Sequence, residues 1–186
     1  MSRPAELSGT LWPIHLKPLD DELLSSWMIR LARAYEIKPM WFWRLFWPVD
    51  FRQIDVEAPG GLLGLLAAKT ATPFPRTLAT TLAMLAREHR VRQVRYCRAC
   101  LADDPEPYFR RRWQLQSFLL CEMHGIPLNS GCPHWGHELM PEKVPLTRDS
   151  IAWCSQCGED LRTPVRVLCH LIPWDQCSIG KKGSGC

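Results

Sequence analysis

The feature that most restricts this chain is the pairing of "CRAC", Cys97 and Cys100, with "CEMH", Cys121 and His124, across residues 101–120. Knuckles of the form C-x-x-C and C-x-x-H supply four soft or borderline donors, the set that tetrahedral zinc takes in a closed, structural site. One ion held by both knuckles requires the chain to return on itself between them. The stretch "RRRWQLQSFLL" alternates well enough to be the returning strand of a ribbon-like finger.

A second set of donors is less complete. "CSQC" offers Cys154 and Cys157, and its mate is expected at Cys132 and position 135, within "CPHWGH". Position 135 is Trp135, which cannot ligate. His137 is the preferred fourth donor, with His134 as the alternative because one residue between it and Cys132 is tight for a shared ion. Cys169, Cys177 and Cys186, with His170 among them, match no zinc spacing, and these thiols read as ordinary buried or free cysteines.

Nine cysteines in a chain whose opening, "MSRPAELSGTLWP", lacks the apolar core of a secretory signal point to metal rather than disulfides. The expected compartment is the cytoplasm. The most apolar run, "GGLLGLLAAKTA", is too short to span a bilayer. With 186 residues and 46% hydrophobic content, the chain can bury one ordinary core or two small modules. A net charge of +4 decides little, but arginines crowd around the first cysteines. Of these, Arg98, Arg110, Arg111 and Arg112 are candidates for phosphate contact, the alternative being a solvated strand edge or pairing with "DDPE".

The first half reads as helical. In "LDDELLSSWMIRLARAYEIKP" apolar residues recur at helical spacing, with Asp20 or Asp21 as N-cap and Glu22 in the first turn. Pro39 opens a second helix, "PMWFWRLFW", that stops at Pro48. The pair resembles a helix-turn-helix unit, although Trp41, Trp43 and Trp47 are too apolar for a helix lying in a DNA groove and read as core or partner-facing. A Pro/Gly-containing connection leads to another amphipathic helix, "PFPRTLATTLAMLAREHRV", with Leu78, Leu82, Leu85 and His89 on one stripe. The expected organisation is a helical domain over residues 1–90, a paired zinc-finger module over 91–165, and a tail over 166–186. That tail reads as unstructured, whether a natural end, a frayed terminus or a truncation scar. The fold class is mainly α with small β elements.

Two segments resemble the TniQ (TnsD-like) family of bacterial transposons, which includes members coupled to CRISPR effectors. "WPIHLKPLDDELLSSWMIRLA" looks like the family's opening, and "RYCRACLADDPEPYFRRRWQLQSFLLCEMHGIPLNSGCP" resembles its zinc segment; together the similarity spans residues 11–47 and 95–158. The resemblance implies a non-catalytic adaptor with paired zinc fingers and helix-turn-helix elements. Such an adaptor recognises target DNA, or a guide RNA within an effector complex, and recruits an AAA+ transposition ATPase of the TnsC or TniB kind. Carried over by position, Cys97, Cys100, Cys121, His124, Cys132, Cys154 and Cys157 match metal positions, and Trp135 departs. Two other readings compete: a stand-alone DNA- or RNA-binding regulator, and a zinc enzyme. The enzyme is disfavoured because no H-E-x-x-H or H-x-E…P-C-x-x-C pattern is present.

Overall fold

Apolar residues at helical spacing build α1 (Leu24–Ala34), which is buried on nearly every side. The computed structural model describes residues 11–46, 53–83 and 93–163. Within them α1 is followed by α2 (Pro39–Arg44), α3 (Gly60–Thr70), α4 (Phe74–Leu78), β1 (Arg95–Tyr96), α5 (Arg98–Asp103) and β2 (Asn129–Ser130). Short 3-10 turns lie at Arg112–Gln114 and Pro141–Lys143. The described residues are thus mainly helical, with one antiparallel pair that sets Arg95 against Ser130 and Tyr96 against Asn129. None of the described helices is long and apolar enough to cross a membrane.

Helix α1 serves two apolar clusters. Leu24, Trp27, Met28 and Leu31 pack with Phe42 and Trp43 of α2 and with Leu62, Leu63 and Leu66 of α3. Leu23 and Ile29 pack instead with the cysteine-bearing half, including Tyr96, Phe109 and Trp113. Backbone bonds reinforce the second contact: Leu23 N donates to Phe109 O at 2.9 Å and Arg111 N to Asp21 O at 2.7 Å. The N-terminal lead closes the first cluster, with Trp12 packed edge-on to Tyr35 and Phe42 and tilted against Trp43 and Phe46.

Several sequence expectations are corrected. Asp20 and Asp21 do not cap α1: Leu23 occupies the N-cap without a side-chain bond, and the capping carboxylate comes from Asp55. Asp55 accepts Ser25 N at 2.7 Å and Ser25 Oγ at 2.8 Å. Asp21 is drawn instead to Arg111 and Arg112, because two charge-assisted bonds outweigh one cap. Glu22 lies ahead of the helix and is buried against Arg30. The expected returning strand is absent, since Arg112–Gln114 form a 3-10 turn that buries Trp113 and Gln114, and Arg110 makes only an isolated bridge to Glu22. Part of the connection after Pro48 is α3, whose mostly apolar sequence has no amphipathic stripe but sits against α1. The helix from Phe74 ends at Leu78 and turns, with Thr80 and Thr81 hydroxyls bonding back to Thr77 and Leu78 carbonyls. Trp47, Pro48, Leu85, His89, the boundary at residue 90 and the tail with Cys169, Cys177 and Cys186 lie outside the described residues.

Asp55 carries a measurable consequence. Burial pushes its carboxyl up to about 7, against the opposing pull of the Ser25 amide and hydroxyl. The unfolded chain releases this proton near the ordinary aspartate value, whereas the folded chain keeps it. Stability from this group is therefore fully present below about pH 4 and falls as pH rises towards 7. In Asp55→Asn that decline should vanish from urea midpoints measured across the range. Asp55→Ala should cost about 1–2 kcal/mol, the worth of a helix cap.

Candidate metal centres

The first cluster is assembled by local structure on either side. Cys97 is the N-cap of α5 and Cys100 lies one turn on, with Leu101 N bonded to Cys97 O at 3.1 Å. Strand β1 delivers this segment beside β2, and the bridge between Leu120 and Pro127 folds the intervening residues into a tight turn that carries Cys121 and His124. The three sulfurs and the imidazole Nδ1 converge: Cys97, Cys100 and Cys121 lie 3.7, 3.3 and 3.6 Å from His124 Nδ1. Cys100 Sγ and Cys121 Sγ are 3.5 Å apart.

Tetrahedral zinc with bonds of about 2.3 Å to sulfur and about 2.0–2.1 Å to nitrogen separates its donors by about 3.6–3.8 Å. The observed separations fit that ion closely. The outer contact fits as well, because His124 Nε2 lies 2.9 Å from Asp103 Oδ2, leaving Nδ1 free for the metal. A carboxylate behind a histidine ligand fixes its tautomer and orientation. Burial pushes the Cys97 and Cys100 thiols up, so these sulfurs ionise readily only with a cation among them. Burial also opposes Cys121, but hydrogen bonds from the His124 side chain and backbone bring it down to about 7. Because Asp103 is largely exposed, Asp103→Ala should keep the fold while weakening metal retention at this centre about 10–100-fold in a chelator competition.

The second cluster gathers Cys132, Cys154 and Cys157, with Cys132 Sγ and Cys157 Sγ at 3.4 Å. Burial opposes ionisation of Cys154, yet the backbone amides of Cys157 and Gln156 bond to it and set its pKa below the ordinary range. The centres are linked through Tyr96, which adjoins Cys97 and donates its hydroxyl to Gly131 O at 3.3 Å, next to Cys132. Neither His134 nor His137 joins the three thiols. Both are exposed, and His134 lies against the Trp135 ring with centroids 4.7 Å apart.

The candidate arginines are largely engaged within the molecule. Arg110 forks onto Asp104 at 2.9 and 2.8 Å and covers the Tyr108 and Trp113 rings. Arg111 reaches Asp21, and Arg112 bridges Asp21 at 2.7 Å and Glu122 at 2.6 Å. This is the pairing alternative, with Asp104 belonging to "DDPE" and Asp21 contributed from before α1. Arg98 has no acidic partner among the described residues. Of the tryptophans, Trp43 is fully buried and donates to Met28 O at 3.0 Å, so it cannot face a partner. Trp41 is 62% exposed beside Leu45, and the helical period of α2 separates the two roles.

Sequence reasoning missed two participants. Asp103 carried a signal, since it lies three residues beyond Cys100 and shares its side of α5. The role of Asp55 had no local signal, because its partner Ser25 is thirty residues away. A family model described as TniQ matches residues 13–128, which takes in α1 and all four donors of the first cluster but ends before Cys132. No curated protein matches the chain.

Proposed function

The chain belongs to the TniQ family, which acts in transposition target selection, and from that membership we infer a non-catalytic, zinc-binding adaptor that joins target recognition to an AAA+ transposition ATPase. The family match over residues 13–128 carries this reading. Cys97, Cys100, Cys121 and His124 hold one zinc ion, and Cys132, Cys154 and Cys157 contribute to a second. A closed site of the first kind offers no open position for substrate, and its role is to cross-link a segment that has little regular structure of its own.

Exposed Trp41 of α2, with exposed Ile37 before the helix and Leu45 at its C-cap, supports docking to a protein partner. The internal pairing of Arg110, Arg111 and Arg112 favours the adaptor over a stand-alone regulator, since phosphate would have to compete with carboxylates already in place. Arg98 remains available for phosphate. Whether the recognised target is DNA itself or an RNA-guided effector, the adaptor acts by bridging rather than by chemistry. A reconstituted transposition reaction tests the role: insertions at the selected site should require this chain, and unchanged insertion number and position in its absence would contradict it.

A further inference from the structure

Three turns in this molecule share one backbone pattern, and one of them places a non-ligand where the others place a metal donor. In each, the amide of the leading cysteine donates to the carbonyl five residues on, and the glycine four residues on donates back to the cysteine carbonyl. The pairs are Cys121 N to Ile126 O at 2.8 Å with Gly125 N to Cys121 O at 2.7 Å, and Cys154 N to Glu159 O at 2.8 Å with Gly158 N to Cys154 O at 2.9 Å. The third is Cys132 N to His137 O at 2.7 Å with Gly136 N to Cys132 O at 2.8 Å. All three glycines adopt left-handed φ, at 63°, 69° and 73° for Gly125, Gly136 and Gly158. The turn at Cys132 is held from its other side too, because a Cβ on Gly131 would stand 2.9 Å from His137 O.

The shared backbone fixes what each position faces. The third residue after the cysteine is His124, Cys157 or Trp135, and the first two join the metal clusters. The second residue is Met123, Gln156 or His134, exposed in every case. The fifth is Ile126, Glu159 or His137, whose carbonyl closes the turn. The backbone that would present a ligand at position 135 is intact, and it directs His134 and His137 away from the thiols. Trp135 is 64% exposed and Cys157 is exposed, so the cluster reaches the protein surface at Cys157.

We propose that Cys132, Cys154 and Cys157 form an open metal site, in which three thiolates hold a thiophilic divalent ion whose fourth position accepts an imidazole that the described residues do not supply. A neutral imidazole would complete a three-cysteine, one-histidine set, the same donor set that converges at the first centre. The proposal rests on the metal reading of the cysteine clusters given above. It turns the second centre from a passive staple into a receptor for an imidazole donor, such as a histidine side chain on a partner.

The test uses the full chain loaded with NMR-active cadmium, where each centre gives its own resonance. Free imidazole should shift one resonance saturably and leave the other in place. Trp135→His should shift that resonance to the imidazole-saturated position and abolish its response, while the double variant His134→Ala, His137→Ala should match the parent chain. A second resonance that ignores imidazole, or that shifts in the double histidine variant, would overturn the proposal, as would a single cadmium per chain. Loss of both resonances would overturn the metal reading itself, and this proposal with it.

Discussion

Cys100→Ser is expected to unfold the cysteine-bearing half of the chain and to release the metal of the first centre. Structural zinc contributes folding free energy on the order of 10 kcal/mol in isolated fingers, comparable to the whole stability of a typical domain. Here it has little to fall back on: between Arg95 and Ser130 the regular structure amounts to α5, one 3-10 turn and two-residue strands. Cys100 is buried within the cluster that also contains Leu23 and Ile29, so the damage should reach α1. Metal content by mass spectrometry and thermal unfolding by circular dichroism both report it. A variant that keeps the parent's metal content and midpoint would contradict the first-centre assignment.

Glu22→Ala should also be strongly destabilising, for a different reason. Glu22 is 1% exposed, and its carboxylate takes the Leu19 amide at 2.8 Å, the Ser26 hydroxyl at 3.1 Å and Arg30 Nη1 at 2.7 Å. Arg30 is itself buried, and its Nε has no partner among the described residues, so it has little reserve when Glu22 is lost. Removing one member of such a pair costs about 3–5 kcal/mol, because the remaining charge stays buried. The contact to half-exposed Glu106 is a smaller support, and Glu106→Ala should cost well below that. Replacing Glu22 and Arg30 together with methionine should recover much of the loss, since no charge is then stranded. Urea denaturation of the three variants separates these outcomes, and a double variant no better than Glu22→Ala would refute the ion-pair explanation.

What could be read in the sequence depended on how local the cause was. The spacing of Cys97, Cys100, Cys121 and His124 encodes a convergence of donors, and the structure brings those four atoms together. The same holds for α1 and α2, where helical periodicity and Pro39 act over a few residues. The failures are non-local. Alternation in "RRRWQLQSFLL" resembled a strand, but Arg110, Arg111 and Arg112 each have an acid to reach and Trp113 has a core to enter, which bends the segment into a 3-10 turn. Helix α3 was hidden because it has no polar face to mark its period. The capping of α1 by Asp55 needed the tertiary fold. At Cys132 the clue lay in the glycine: "HG", "WG" and "CG" end the three knuckles alike, a repeat that marks position 135 as the ligand place.

The adaptor role is tested most directly by whether the purified chain binds the AAA+ transposition ATPase with nucleotide and DNA supplied. Retention of the ATPase on the immobilised chain, reduced when Trp41 and Leu45 are replaced by alanine without loss of fold, is the expected result. No retention under any nucleotide state would contradict the adaptor reading and favour a regulator that acts on nucleic acid alone.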